Sequence, residues 1–364
     1  MNEIKPTDIT QFVDGTKLLK DTLAAITTEA VDRLIASLTV VPEPSYRFNA
    51  KAPWTTWQEG KLHWYPVGAD RGNAGRIKLA GSPENPIGER TINSIEAIIE
   101  LARQMELLAD KDAPAPKTPR EAVLRYFGLP SLEDLPNHPE LMSGKGPVKQ
   151  VSELAGRIKV ALRQAGKGAD YTMVIEDDGI GQRADRMHET LLSLGSSDKP
   201  DKPYLIGMFG QGGSSALHAS VYSWFVSRRA PELPDHEDAG VGWTIVRLVV
   251  PVDRRDVYWA YLAAHPDGRV PRLPESSADT SQFRRGTKIA HVGYKFSTSN
   301  QAYGLYTSLN HLLFNPVLPY YVVTRKQKGT ERDRPDLMTG NAYRLSKIKR
   351  EEKDEDKRFE NVTV

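Results

Sequence analysis

Four short stretches of this chain combine residue types and spacings that can do chemistry. Glu89 and Asn93 stand four residues apart, so on a helix they point the same way. A carboxylate beside an amide oxygen can hold a hard cation and orient a water molecule. The same spacing also fits an ordinary solvated helix face. Asp177-Asp178-Gly179-Ile180-Gly181 sets a carboxylate where an apolar run ends, ahead of two glycines two apart. Glycine permits torsions and close approaches denied to other residues. A carboxylate buried at a strand end needs donors. An amino group such as that of adenine is one; a tight acidic turn is the alternative. Gly207-Met208-Phe209-Gly210-Gln211-Gly212-Gly213 exposes backbone N–H groups ahead of a helix, which suits phosphate or a purely structural turn. It is neither a lysine-bearing phosphate loop nor a Rossmann fingerprint, and the strand that should precede it is missing. Arg285-Gly286-Thr287 brings a hydroxyl into a strand. There it can position a water, or simply sit where β-branched residues belong.

The elements that must position these groups are legible from periodicity. Apolar residues at spacings of three and four predict a helix over about Lys17 to Leu38 and a second from Ile87 or Gly88 to Leu108. Between them lies an irregular, proline-rich stretch whose Trp54, Trp57, Trp64 and Tyr65 argue for an ordered layer. Residues from about 110 to 170 read as an insertion carrying helices over Pro119–Phe127 and Val148–Gln164. Tyr171–Glu176 reads as a strand, Arg183–Ser193 as a helix, and a further helix starts at the glycine-rich stretch. Strands are expected at Val221–Ser227, Gly242–Pro251 and Thr287–Val292, and a helix at Ser299–Phe314. The fold class expected is α+β: a mixed, mostly antiparallel sheet covered by helices on one face.

Composition narrows the function classes. The 364 residues hold 49 Lys and Arg against 47 Asp and Glu, a net charge of +2, which gives no global attraction to nucleic acid. Cysteine is absent, excluding disulfides and Cys-ligated metal centres. No apolar run approaches the ~20 residues a spanning helix needs, and Met1–Pro6 has no apolar signal-peptide core. A cytoplasmic location without a membrane partner is the expectation. The eight histidines are scattered through the sequence and form no metal-ligand spacing.

Taken together and in order, the four stretches resemble the GHKL ATP-binding superfamily, shared by DNA gyrase B, Hsp90 chaperones, sensor histidine kinases and MutL. Glu89-Arg90-Thr91-Ile92-Asn93-Ser94-Ile95-Glu96-Ala97 is similar to its first box, Asp177-Asp178-Gly179-Ile180-Gly181 to its Asp-x-Gly-x-Gly box, Gly207, Gly210 and Gly212 to its Gly-x-x-Gly-x-Gly box, and Gly286-Thr287 to its last. The resemblance covers about residues 85–315, the insertion excepted. In Asp177-Asp178-Gly179, Gly195–Lys199 and Phe209-Gly210 it leans toward MORC and Hsp90 proteins. It implies a Bergerat-type sandwich with ATP and Mg2+ as ligands. Glu89 would be the general base, Asn93 the magnesium ligand, Asp177 the adenine-binding carboxylate and Thr287 its supporting hydroxyl. Gly179 and Gly181 would pass close to the nucleotide. Gly207, Gly210, Gln211, Gly212 and Gly213 would frame the phosphates, under a lid from Gly195 to Ile206 whose Lys199 or Lys202 would meet phosphate oxygens. Residues 1–84 would then be an N-terminal extension, and 316–364 the start of a following segment with a charged tail.

The function so implied is magnesium-dependent ATP hydrolysis that closes the lid. Closure would drive a conformational or dimerisation switch on a second copy, a protein partner or a nucleic-acid-processing system. The alternatives are a non-hydrolysing nucleotide sensor and a protein kinase acting in trans. A kinase's phosphoaccepting histidine is absent from the Lys17–Leu38 helix. Hydrolysis in these families also uses a lysine or arginine from a following domain. Only about 70 residues follow Val292, too few for such a domain on its usual scale. The expectation is therefore a fragment, a partner-supplied residue or weak turnover.

Overall fold

The computed structural model describes residues 14–41, 57–77, 79–143, 146–194, 201–206, 212–236, 240–250, 257–274, 283–296, 301–326 and 332–355. Two short helices come first, α1 (Gly15–Ala24) and α2 (Thr28–Ala36). Asp14 and Thr27 cap them by accepting hydrogen bonds from first-turn N–H groups, donors that a helix start leaves orphaned. Strand β1 (His63–Pro66) and a single turn, α3 (Asn73–Arg76), lead to the 25-residue helix α4 (Asn85–Ala109). Pro86 sits in its first turn, where a missing N–H is harmless. Helix α5 (Pro119–Phe127) is capped by Thr118 and ends on Gly128 in the left-handed region. After a small pair, β2 (Met142–Ser143) and β3 (Gly146–Pro147), come α6 (Lys149–Gly156), β4 (Ile158–Gln164) and β5 (Tyr171–Asp177). Strands β6 (Tyr222–Arg228), β7 (Val241–Val249), β8 (Tyr258–Ala263), β9 (Arg272–Leu273) and β10 (Gly286–Tyr294) follow. Helix α7 (Gln301–Leu312), β11 (Tyr320–Lys326), β12 (Asp333–Met338) and α8 (Gly340–Glu355) complete the order.

The main sheet has ten strands in the order β1-β8-β7-β6-β10-β5-β4-β11-β12, with β9 beside β7. Its pairings are antiparallel except β11 against β4, which is parallel. The architecture is α+β, a mixed and mostly antiparallel sheet covered by helices. Strands from the N-terminal part, the 110–170 stretch and the part beyond 316 all join this one sheet. Asp333 on β12 fixes the far edge by accepting from Arg163 (2.7 Å to each oxygen) and Lys159 (3.0 Å) on β4.

Both faces of the sheet are buried, which departs from the expected single covered face. Neighbouring strand residues point to opposite sides, and Trp224 and Phe225 on β6 do so here. The Trp224 indole donates to the carbonyl of Ala25 (2.8 Å), after α1, and Trp243 donates to the hydroxyl of Thr22 (2.7 Å). Phe225 instead lies under Arg90 of α4. One core therefore gathers Leu18, Leu19, Val31 and Leu34 on Trp224, Trp243 and Ile245. The other packs Ile87, Ile95, Ile98 and Ile99 of α4 on Val160, Leu162, Met173 and Ile175.

Other expectations are corrected locally. The helix expected over Val148–Gln164 is α6 followed by β4. Arg157 ends the helix, and Ile158, Val160 and Leu162 then alternate inward toward α4. The helix expected at Arg183–Ser193 is one 3-10 turn, Ala184–Arg186, followed by turns. The helix after the glycine-rich stretch is a 3-10 segment over Gly212–Ala219.

Candidate functional site

Helix α4 packs on β5 and β4, and its Ser94 reaches the end of β5. Arg90, Ser94, Ala97 and Leu101 fall on its sheet-facing side, as spacings of three and four require. On the sheet beneath, Asp177 of β5 is directly opposite Thr287 of β10, and Thr287 opposite Ser227 of β6. That row of three polar residues continues, two residues further along, as Phe225, Ile289 and Ile175, and then as Ser223, His291 and Met173.

Asp177 is the centre of the arrangement. Its side chain is buried, with 6% of the residue exposed. Oδ1 accepts from the backbone N–H of Gly179 (3.0 Å) and of Thr287 (3.3 Å), and Oδ2 accepts from the hydroxyl of Ser94 (3.2 Å). A carboxylate offers about four lone-pair sites, so one on Oδ2 is left for a ligand donor. Burial pushes the Asp177 carboxyl up to about 7, against the pull of its three hydrogen bonds. Thr287 thus serves Asp177 through its backbone, while its hydroxyl pairs with Ser227 Oγ (2.9 Å). Ser227 also accepts from the N–H of Gln182 (2.8 Å), which closes the turn after Gly181 onto β6.

The two glycines of that turn are dictated by space and torsion. A Cβ on Gly179 would stand 2.6 Å from that of Ala97, so the chain passes directly under α4 there. The next residue, Ile180, donates to the helix carbonyl of Ala97 (3.0 Å). Gly181 has φ +61°, and a Cβ there would fall 1.8 Å from the carbonyl oxygen of Arg228.

Asp178, the second acid of the motif, turns the other way. Arg285 forks onto it, with Nη2 2.9 Å from Oδ2, and also reaches Glu232. Arg157 donates to the Asp178 carbonyl (3.0 Å). Residue 285 precedes Gly286-Thr287, so this clamp ties together the second and fourth stretches, far apart in the chain.

On α4, Glu89 is exposed and Asn93 half-buried, one turn or ~6 Å of helix rise apart. Further along, Glu100 accepts from Lys202 (3.1 Å) and from the Tyr204 hydroxyl (3.0 Å). Glu96, itself buried, accepts from the backbone N–H of Ile206 (2.7 Å). Gly213, which closes the glycine-rich stretch, lies against the Arg90 guanidinium. The residues flanking that stretch therefore rest on α4 on either side of Asn93. Lys199, Gly207, Gly210 and Gln211 lie outside the described residues, and Gly212 opens the 3-10 segment.

The structure thus brings together Asp177, Gly179, Gly181 and Thr287, and sets Glu89 and Asn93 on the helix that holds them. Ser227 and Glu100 were not singled out in the sequence, and Ser94, Glu96, Asp178 and Arg285 stood within the quoted motifs without a site role. Ser94 was accessible to it, being four residues from Arg90 on the face that meets the sheet. A cavity of about 540 Å³ lies elsewhere, walled by Ile92, Ile95, Arg120, Ile206, Phe314 and Val317 among others, and none of the expected site residues lines it. Among the described residues no group of three His, Cys, Asp or Glu is placed to hold a metal, and no helix is long and apolar enough to cross a membrane. The chain matches no family model and no curated protein sequence.

Proposed function

We propose that the chain is a magnesium-dependent ATPase of the GHKL type, its sheet and helices forming a Bergerat-type nucleotide site. The observation that carries this reading is the buried Asp177 carboxyl, on which α4, the Gly179 turn and β10 converge. In this reading its remaining lone pair accepts the amino group of adenine. Gly179 and Gly181 let the turn beside it pass directly under α4 and against β6. By the resemblance, the stretch from Gly207 to Gly213 would frame the phosphates with backbone N–H groups, and Lys199 would join them. Asn93 would hold Mg2+, an ion that takes one or two protein oxygens and otherwise phosphate and water. When bound, that ion offsets phosphate charge.

Glu89 lies one turn from Asn93, and its exposure leaves it open to water. It takes the proton of a water that attacks the terminal phosphorus; the bond to the bridging oxygen breaks, releasing ADP and phosphate. Residues 201–206, tethered to Glu96 and Glu100, are the root of the lid. Its closure would present a changed surface to a second copy or to a partner system.

Phosphate release from magnesium-ATP tests the chemistry. Glu89→Gln should slow it ~10²–10⁴-fold, the usual worth of a general base, while nucleotide binding persists. Equal and negligible rates in both forms, with binding intact, would leave a nucleotide sensor in place of an ATPase.

A further inference from the structure

Among the described residues the charge of Arg90 has no counterpart. Its residue is 6% exposed, yet its buried Nε has no hydrogen-bond partner and no ion pair joins it to a carboxylate among the described residues. Its walls are neutral. The ring of Phe225 lies 5.3 Å from Cζ, and Gly213 lets the guanidinium approach so closely that a Cβ there would stand 2.8 Å from Cζ. His291, also on this face, is fully buried; its Nδ1 is engaged with Ser223 Oγ at 2.8 Å, and its Nε2 has no partner among the described residues. Burial and the nearby Arg90 charge hold that imidazole well below its usual range, so it is neutral. Burial also lowers the Arg90 guanidinium, to about 10, which leaves it charged at neutral pH. A buried, unpaired guanidinium is strongly destabilising. A ligand that supplies the missing charge is a functional reason for keeping such a group.

Its position says which ligand. Arg90 is one turn from Ser94, which holds Asp177, but its guanidinium lies over Phe225, two residues further along the sheet than the Asp177 row. That is ~7 Å at the rise of a strand, before the reach across strands is added. It also touches the residue that closes the glycine-rich stretch. We infer that Arg90 binds the terminal phosphate of the nucleotide, supplying from within this chain the cation that related enzymes take from a following domain. This rests on the ATP reading above. The triphosphate runs from Asp177 toward Gly213, and its last phosphate meets the guanidinium. A diphosphate ends short of it.

Calorimetric titration of the full chain with ATP and with ADP, in magnesium, tests this in the parent, Arg90→Met and Arg90→Lys forms. The Met form should bind ADP within about twofold of the parent and ATP ~10–100-fold more weakly, the worth of a charge-assisted hydrogen bond or two. The Lys form should keep part of the preference for ATP. Without nucleotide, the Met form should unfold at the same temperature as the parent or higher, because an unpaired buried charge is gone. Equal weakening of ATP and ADP, unchanged affinity for both, or a lower unfolding temperature would each overturn the inference and make Arg90 a packing residue. A parent that binds neither nucleotide would instead overturn the ATP reading beneath it.

Discussion

Asp177 keeps its proton to about pH 7 because burial outweighs three hydrogen-bond donors. The folded state therefore binds a proton that the unfolded chain releases near pH 4. Between those values stability falls as pH rises, since the native state holds more protons there. The contribution is present in full below about pH 4 and lost above about pH 7. Carrying a carboxyl across that interval corresponds to about 4 kcal/mol. Asp177→Asn mimics the protonated form and keeps the same acceptor for Gly179 and Thr287. Urea unfolding should find the two proteins similar near pH 4 and the Asn form more stable by a few kcal/mol at pH 8. Parallel pH profiles would contradict this. At this scale the sequence was informative about single groups and silent about their partners. An acid at a strand end followed by spaced glycines is visible in one line of sequence. That Asp178 belongs to Arg285, or that Thr287 serves through its N–H, depends on a register that the sequence does not display.

At the scale of elements, α4 organises the site. It carries Glu89 and Asn93, holds Asp177 through Ser94, and tethers residues 202–206 through Glu96 and Glu100. Glu100→Ala removes the acceptor of Lys202 and Tyr204 without touching the sheet-facing side of the helix. Amide hydrogen exchange should then quicken at 202–206, leaving Ile98 and Ile99 as protected as before; unchanged exchange at 202–206 would show that the tether does not hold that segment. Helices with one apolar stripe were legible: α4 and α5 lie within about two residues of their expected bounds. Strand β8 escaped because all six of its residues are buried, so it shows no alternation. Strand β4 does alternate, but it follows α6 after a single residue, and the helical spacing of Val151, Leu154 and Ala155 runs into it.

For the whole molecule, the sheet joins segments that look separable in the sequence. Strand β11 runs parallel to β4, from which a long stretch of chain separates it, and α1 covers the face opposite α4 through Trp224 and Trp243. Neither contact has a local signature, because each depends on which strands neighbour one another. The order of four short motifs along the chain was legible, since order survives whatever lies between them. The claim that unites these scales is that Asp177 lies at the base end of an ATP site. Magnesium-ATP binding by calorimetry, with Asp177→Asn beside the unmodified protein, tests it most directly. The account predicts binding by the unmodified chain, and its loss in a variant that remains folded and is more stable at pH 8. A folded parent that binds no nucleotide, or a variant that binds as well as the parent, would contradict it.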